Sequence, residues 1–302
     1  MRHAIIDLGT NTFHLIIAEL TGTDPHVVFK TNEPVKLGEG SINRQLISAP
    51  AFERGIFALQ DFRAIADSYG ANTITAVATS ALRSASNSAS FINAAREQAG
   101  ININIISGDE EAGLIFKGVK ASGAITGKAL IMDIGGGSTE FILCSETELY
   151  WKKSYDIGAA RLLQRFFKSD PLSLAEREGI NLHLTETLQE LKMACEQFRP
   201  TLLIGSAGAF ETFTEMLYPD LDLDAVSTHE IELDAYHQLS ATFISSTHAE
   251  RLAMKGLIPL RVDMILMATL ITDLVLELSA VETLKVSTFD LKMGVLESLK
   301  PV

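Results

Sequence analysis

The sequence predicts an α/β fold built from two similar halves, each opening on a strand, a polar turn and a second strand. Three observations carry the prediction. The stretch Ala129-Leu130-Ile131-Met132-Asp133-Ile134-Gly135-Gly136-Gly137-Ser138-Thr139-Glu140-Phe141-Ile142-Leu143 is an apolar run broken by an acid and three glycines and then resumed. The chain opens with Ala4-Ile5-Ile6-Asp7-Leu8-Gly9-Thr10-Asn11-Thr12-Phe13-His14-Leu15-Ile16-Ile17, which has the same grammar: apolar run, Asp, apolar residue, Gly, small polar residues, apolar run. Elsewhere, short apolar runs alternate with segments whose apolar residues recur every three or four positions, as strands and half-buried helices do. Asp7 and Asp133 stand 133 − 7 = 126 residues apart, about the size of one domain. The 302 residues are therefore expected to divide into domains at 1–122 and 123–302, with the last helix able to pack back on the first domain.

Composition narrows the function classes. With 47% apolar and 21% charged residues the chain can bury sizeable cores. No apolar run is long enough to span a membrane, since even residues 264–278 are interrupted by Asp273 and Glu277. The first residues read as a strand rather than a signal peptide, and Cys144 and Cys195 form neither a disulfide framework nor a metal motif, which points to the cytoplasm. A net charge of −13 argues against nucleic-acid binding, because phosphate backbones call for clustered Lys and Arg. It leaves room for a small polyanion held by local donors and a cation.

The second turn has the chemistry of a phosphate loop. Gly135, Gly136 and Gly137 remove every Cβ, so backbone N–H groups can approach an anion closely. Ser138 and Thr139 add hydroxyls, while Asp133 and Glu140 place carboxylates beside donors suited to phosphate. A cation such as Mg²⁺ between them reconciles acid with phosphate. A glycine-rich hairpin without a ligand would read alike, but the second copy at Gly9, Thr10, Asn11 and Thr12 favours two half-sites closing on a phosphate chain.

Residues 4–20 read as a hairpin and 26–30 as a third strand; Pro34 to Ser41 is a glycine-containing loop that could be an ordinary surface turn. Ile56, Leu59, Phe62, Ile65 and Ala66 give residues 51–69 one buried helical face, ended at Gly70. Residues 74–78 form a strand whose carboxyl end delivers Arg83, on the edge where open α/β sheets bind ligands. Arg83 presents a fork that matches phosphate oxygens, although an arginine here could equally be a surface ion pair. A helix over 87–99 and a strand over 101–106 lead to Ser107-Gly108-Asp109-Glu110-Glu111, whose acids could simply cap the next helix. Residues 121–128 are small and polar, a candidate hinge. In the second half, strands are expected at 149–153 and 201–204, helices at 172–198, 231–245 and 264–278, and a glycine turn at Gly205 to Ala209.

The two Asp-Gly turns resemble the phosphate motifs of the exopolyphosphatase and guanosine pentaphosphate phosphohydrolase family. So do Lys36-Leu37-Gly38-Glu39-Gly40, Ala78 to Asn87, Ile106 to Ile115 and Gly158-Ala159-Ala160-Arg161-Leu162, and the likeness covers nearly the whole chain. It implies two ribonuclease-H-like domains of the actin, sugar kinase and heat-shock chaperone ATPase superfamily, with an interdomain active cleft. It also implies that Glu111 is the catalytic carboxylate, that relatives are often homodimers, and that Gly205 to Ala209 lies near a nucleotide. Three places depart from the family pattern: Ala209 replaces Thr, Val262 replaces Ala, and Asp290, Lys292 and Met293 replace Gly, Arg and Glu.

On this reading Asp7 and Asp133 hold Mg²⁺, while Gly9 to Thr12, Gly135 to Thr139 and Arg83 cradle phosphates. Glu111 activates water and Glu140 positions the water or the metal. The expected activity is release of terminal phosphate from polyphosphate, or conversion of pppGpp to ppGpp. A small-molecule kinase of the same fold and a non-catalytic nucleotide- or alarmone-binding module are the rivals.

Overall fold

The computed structural model describes residues 1–21, 24–206 and 208–300. In the first half, β1 (Arg2–Leu8), β2 (Phe13–Thr21) and β3 (Asp24–Glu33) form an antiparallel meander. Strands β4 (Thr73–Ala78) and β5 (Ile103–Ile105) extend it in parallel, giving the order β3-β2-β1-β4-β5. The second half repeats the plan. Strands β6 (Ala129–Ile134), β7 (Thr139–Cys144) and β8 (Leu149–Tyr155) form the meander, β9 (Leu202–Ser206) pairs in parallel with β6, and β11 (Thr283–Ser287) with β9. Strand β10 (Thr228–Ile231) closes the edge antiparallel to β11, in the order β10-β11-β9-β6-β7-β8. Each half is thus a ribonuclease-H-like sheet, the α/β architecture expected from the repeated motif.

Strand parity then decides where the acids go. In β1, Ala4, Ile6 and Leu8 face the core beneath α1 (Ala49–Ser68) and α3 (Ser88–Ala99), while Ile5 faces the space between the two sheets. In β6, Leu130, Met132 and Ile134 face the outer helices, and Ala129 and Ile131 face that same middle space. Asp7 and Asp133 share the parity of Ile5 and Ile131, so both point between the sheets. Two helices fill the middle layer: α4 (Gly108–Ala121) and α12 (Leu291–Ser298), with Ile115, Val119, Val295 and Leu296 in its core. The short α2 (Ser80–Ser84) follows β4. The outer face of the second sheet carries α5 (Ala159–Phe166), α6 (Leu174–Thr187), α7 (Gln189–Phe198), α8 (Gly208–Leu217), α9 (Leu233–Ser245), α10 (His248–Leu252) and α11 (Met264–Ser279).

Three elements differ from expectation. The single helix expected over 172–198 is two helices meeting at buried Leu188, whose φ −94 and ψ 16 break the run. Thr187 donates its hydroxyl to the His183 carbonyl at the end of α6, a back-bond that bends helices. Residues 228–231 form β10, so the following helix starts at Leu233, not Ile231. Residues 287–296, which hold the departures at Asp290, Lys292 and Met293 and carry no element in the sequence reading, are the end of β11 and most of α12. Of the glycine turn at 205–209, Ala207 lies outside the described residues.

Helices α4 and α12 cross at backbone contact. A Cβ on Gly294 would lie 1.8 Å from the Leu114 carbonyl oxygen, and one on Gly118 would lie 2.1 Å from that of Asp290. Neither carbonyl can rotate away without breaking a helix. Gly294→Ala is therefore expected to destabilise the protein by about 3 kcal/mol or more. Gly179→Ala, in the open on α6 with nothing within 4 Å of its Cβ position, should stabilise by about 0.5–1 kcal/mol. Urea unfolding of both variants reads the two signs; a neutral Gly294→Ala would mean the crossing can relax.

Candidate active site

The two turns meet across the gap between the sheets, and each is held by a different neighbour. Lys36 and Gly38 donate backbone N–H groups to the carbonyls of Asn11 and Thr10, at 2.7 and 3.0 Å. In the second half, the first N–H groups of α5 do the same work. Ala159 donates to Gly135 and Ala160 to Gly136, both at 2.9 Å, and the Arg161 guanidinium donates to the Gly137 carbonyl at 2.9 Å. In a trans peptide the N–H opposes the C=O, so fixing these carbonyls outward turns the N–H groups of Asn11, Thr12, Gly136, Gly137 and Ser138 inward. Among the described residues none of those N–H groups donates to the protein. They are free donors of the kind that bind anions.

The three glycines serve close approach rather than an unusual backbone, since none has a positive φ. A Cβ on Gly136 would lie 3.0 Å from the Thr10 Cβ, and one on Gly137 would lie 2.5 Å from Ser80 Oγ and 2.7 Å from Thr10 Oγ1. Gly158 is pressed against Gly136 at 2.4 Å in the same sense. The halves also touch through Gln164, whose amide donates to the Gly38 carbonyl at 2.9 Å.

Glu110 and Glu111 part company at the start of α4. Ser107 is the N-cap: its hydroxyl accepts from the Glu110 N–H at 3.2 Å while the Glu110 carboxylate accepts from the Ser107 N–H at 2.8 Å. Glu111, one residue and 100° further round, turns inward and is buried. Arg83 donates to its carboxylate at 2.8 Å and to the Ile106 carbonyl at 3.2 Å. Asp133 accepts from Ser206 at 3.1 Å, and Glu140, opposite Asp133 in the β6–β7 register, accepts from Ser154 at 2.6 Å. The structure thus brings Asp7, Glu111, Asp133, Glu140 and Arg83 together with both turns.

Burying so many acids together raises their affinity for protons. Desolvation pushes Asp7 up to about 7, with Asp290 and Glu111 adding to the effect and Lys292 opposing it. Burial, then neighbouring acids, hold Asp133 and Glu140 well above the carboxylate range. Burial also raises Glu111, against the pull of Arg83. Asp7 Oδ1 is buried with no hydrogen-bond partner.

Among the described residues no three His, Cys, Asp or Glu side chains converge as a preformed metal cage. Mg²⁺ does not require one, because it takes one or two carboxylates and completes its shell with water and phosphate oxygens. The orphaned Asp7 oxygen, which with Asp133 lies in the field of Glu111 and Asp290, suits such an ion.

Sequence reasoning missed the part played by five residues. Ser154 and Ser206 needed strand register to be seen. His14 occupies the place opposite Asp7 that Glu140 occupies opposite Asp133, and the equal offset, 14 − 7 = 140 − 133 = 7, was the available signal. Burial, then Lys292, push its imidazole down to about 3, so it is neutral. Asp290 and Lys292, read as lost family residues, form a buried ion pair at the start of α12.

Paired phosphate turns, buried acids and a ribonuclease-H-like duplication define a phosphate-handling enzyme. A profile of the Ppx/GppA phosphatase family matches residues 16–301. An exopolyphosphatase structure from Cytophaga hutchinsonii superposes with a TM-score of 0.96 at 36% identity, covering 99% of this chain and 97% of that one. A bifunctional 3-dehydroquinate synthase/phosphatase of Fusobacterium nucleatum is 33% identical over 96% of this chain and 45% of its own length. A guanosine-5'-triphosphate,3'-diphosphate pyrophosphatase of Pseudoalteromonas translucida is 30% identical over 82% of this chain and 51% of its own. The chain spans about half the length of these two curated relatives. It belongs to the Ppx/GppA phosphatase family and is a hydrolase of that type. Among the described residues no helix is long and apolar enough to cross a membrane.

The raised acids have a pH signature. A carboxyl whose folded pKa exceeds its unfolded value binds more protons when folded, so stability falls as pH rises through the window between them. For Asp7 that window runs from 3.8 to about 7. His14 acts oppositely, losing stability below its ordinary 6.5. The difference between wild type and Asp7→Asn isolates the acid. Without Mg²⁺, the melting temperature of wild type relative to Asp7→Asn should drop from pH 5 to pH 8, and Mg²⁺ should restore it at pH 8. Parallel pH profiles for the two proteins would contradict the burial of Asp7 as a charge.

Proposed function

We propose that this chain is a Mg²⁺-dependent phosphoanhydride hydrolase that removes the terminal phosphate of inorganic polyphosphate or of guanosine pentaphosphate. The observation that carries the reading is Glu111: a buried carboxylate at the first turn of α4, beside two turns with free N–H donors. Its likeness to the Cytophaga exopolyphosphatase supports polyphosphate as the first substrate to try.

Phosphoryl transfer asks chiefly for positioning and charge neutralisation. The inward N–H groups of both turns donate to the oxygens of the terminal phosphate between them. Asp7 and Asp133 would hold Mg²⁺, which when bound neutralises phosphate oxygens. Arg83 is shared between Glu111 and the incoming phosphate. As its fork turns to phosphate oxygens, Glu111 loses the contact that lowers its pKa and becomes the stronger base. Water gives a proton to the Glu111 carboxylate while its oxygen attacks phosphorus. The anhydride P–O bond breaks and its electron pair leaves with the shortened chain. Glu140, tied to Ser154, fixes the acid side of the pocket.

The domain division at 1–122 and 123–302, with 121–128 as hinge, belongs to the same reading, because touching turns must part for a phosphate to enter. Small-angle scattering on Glu111→Gln with and without polyphosphate should show a change in shape; superimposable profiles would remove the hinge. Glu111→Gln itself should lower kcat by roughly 10²-fold or more while polyphosphate still binds. Arg83→Met should raise KM by about tenfold or more, the worth of a charged hydrogen bond. Phosphate release from polyphosphate, pppGpp and ATP, assayed in parallel, ranks the substrates. Activity untouched by Glu111→Gln would misplace the base, and no release from any substrate would favour a kinase or a sensing module.

A further inference from the structure

Lys292 has no role in the mechanism above, yet it is a buried ammonium among the acids of the site. It lies in the first turn of α12, which packs on β1, the strand that carries Asp7. Asp290 holds it twice. One carboxylate oxygen accepts from the Lys292 backbone N–H at 2.9 Å, capping the helix, and the other pairs with its Nζ. Among the described residues Asp290 is the sole hydrogen-bond partner of that ammonium, so two of its three protons have no protein acceptor. Its charge is nonetheless felt at Asp7, Asp133 and His14. Arg83, the other cation near the acids, is already engaged by Glu111.

A fixed cation in that place does two things of opposite sign. It attracts a phosphate oxygen, for which it has donors to spare. It also repels a divalent cation from the acids it shares. We propose that Lys292, oriented by Asp290, is a resident cation of the site that binds a phosphate oxygen of the phosphoanhydride substrate and weakens Mg²⁺ binding at Asp7 and Asp133 until that phosphate arrives. The phosphate half of this inference rests on the hydrolase reading; the Mg²⁺ half does not. The Asp290–Lys292 pair then replaces, with an ammonium and its own counter-ion, what the C-terminal turn seemed to have lost.

The test is Mg²⁺ titration by calorimetry on substrate-free wild type, Lys292→Met, Lys292→Arg and Asp290→Asn, with steady-state kinetics on polyphosphate beside it. Removing the ammonium should tighten Mg²⁺ binding about tenfold, the effect of one unit charge across a partly desolvated site. The same variant should raise KM for polyphosphate about tenfold and change kcat less. Asp290→Asn removes a negative charge and should weaken Mg²⁺ binding, and Lys292→Arg should keep both properties. Opposite signs for the two charge changes support the proposal. Shifts of the same sign, or unchanged Mg²⁺ affinity with only a lower melting temperature, would make the pair a helix strut and overturn it. Should Lys292→Met not fold, Lys292→Gln and Asp290→Asn carry the same comparison. If wild type releases phosphate from no substrate, the hydrolase reading falls, while the calorimetric signs still decide the charge role of Lys292.

Discussion

The constraint on which the site depends is that the carbonyls of both phosphate turns are claimed by other parts of the chain. A glycine-rich turn left alone can rotate its peptide planes freely, and its donors then point anywhere. Here Lys36 and Gly38 hold one turn, and the start of α5 with the Arg161 side chain holds the other. Every bond that fixes a carbonyl outward fixes an N–H inward. This gives a physical reason for two sequence stretches, 36–40 and 158–162, that enter the sequence reading only through the family resemblance. They act on the peptide planes of the turns, so a defect in either would be felt as lost donor geometry.

A second constraint follows from sheet parity. Asp7 and Asp133 share a face with residues that build the core between the sheets, so they cannot avoid burial. The protein therefore carries acids that prefer to be protonated, and a cation or a proton must accompany them in the folded state. The tight crossing of α4 over α12 sets how far apart those charges stand, because Glu111 rides on one helix and Lys292 on the other. Packing in the middle layer and electrostatics at its end are thus one problem. A glycine at each contact point lets the helices come close enough to solve it.

Much of this was legible before folding. The duplicated Asp-Gly turns gave the two-sheet plan, and the carboxyl end of the fourth strand gave Arg83. Residue chemistry alone left Glu110 and Glu111 alike, since both suit a helix start, and only the family resemblance singled out Glu111. The capping box takes the first and helical rotation sends the second inward. Ser154 and Ser206 were invisible because their partners are set by strand register, across 14 residues from Glu140 and 73 from Asp133. The first turn of the last helix read only as a set of departures from the family pattern, because nothing local says that Asp290 and Lys292 pair with each other there. Strands β10 and β11 went unread for a related reason: four and five residues long, they are defined by their neighbours more than by their composition.

The duplication also shows where the two halves differ beside their equivalent aspartates. The two hairpins are superposable in register, so His14 and Glu140 stand at equivalent places beside equivalent aspartates. In the second half the place holds a carboxylate, braced by Ser154 and within the field of Glu111. In the first it holds an imidazole kept neutral by burial and by Lys292. A carboxylate there would add another negative charge beside Asp7, which already feels Asp290 and Glu111. A neutral ring avoids that repulsion and leaves Asp7 free to meet a cation. The same backbone therefore serves two ends: the second half concentrates negative charge beside its aspartate, and the first half limits it.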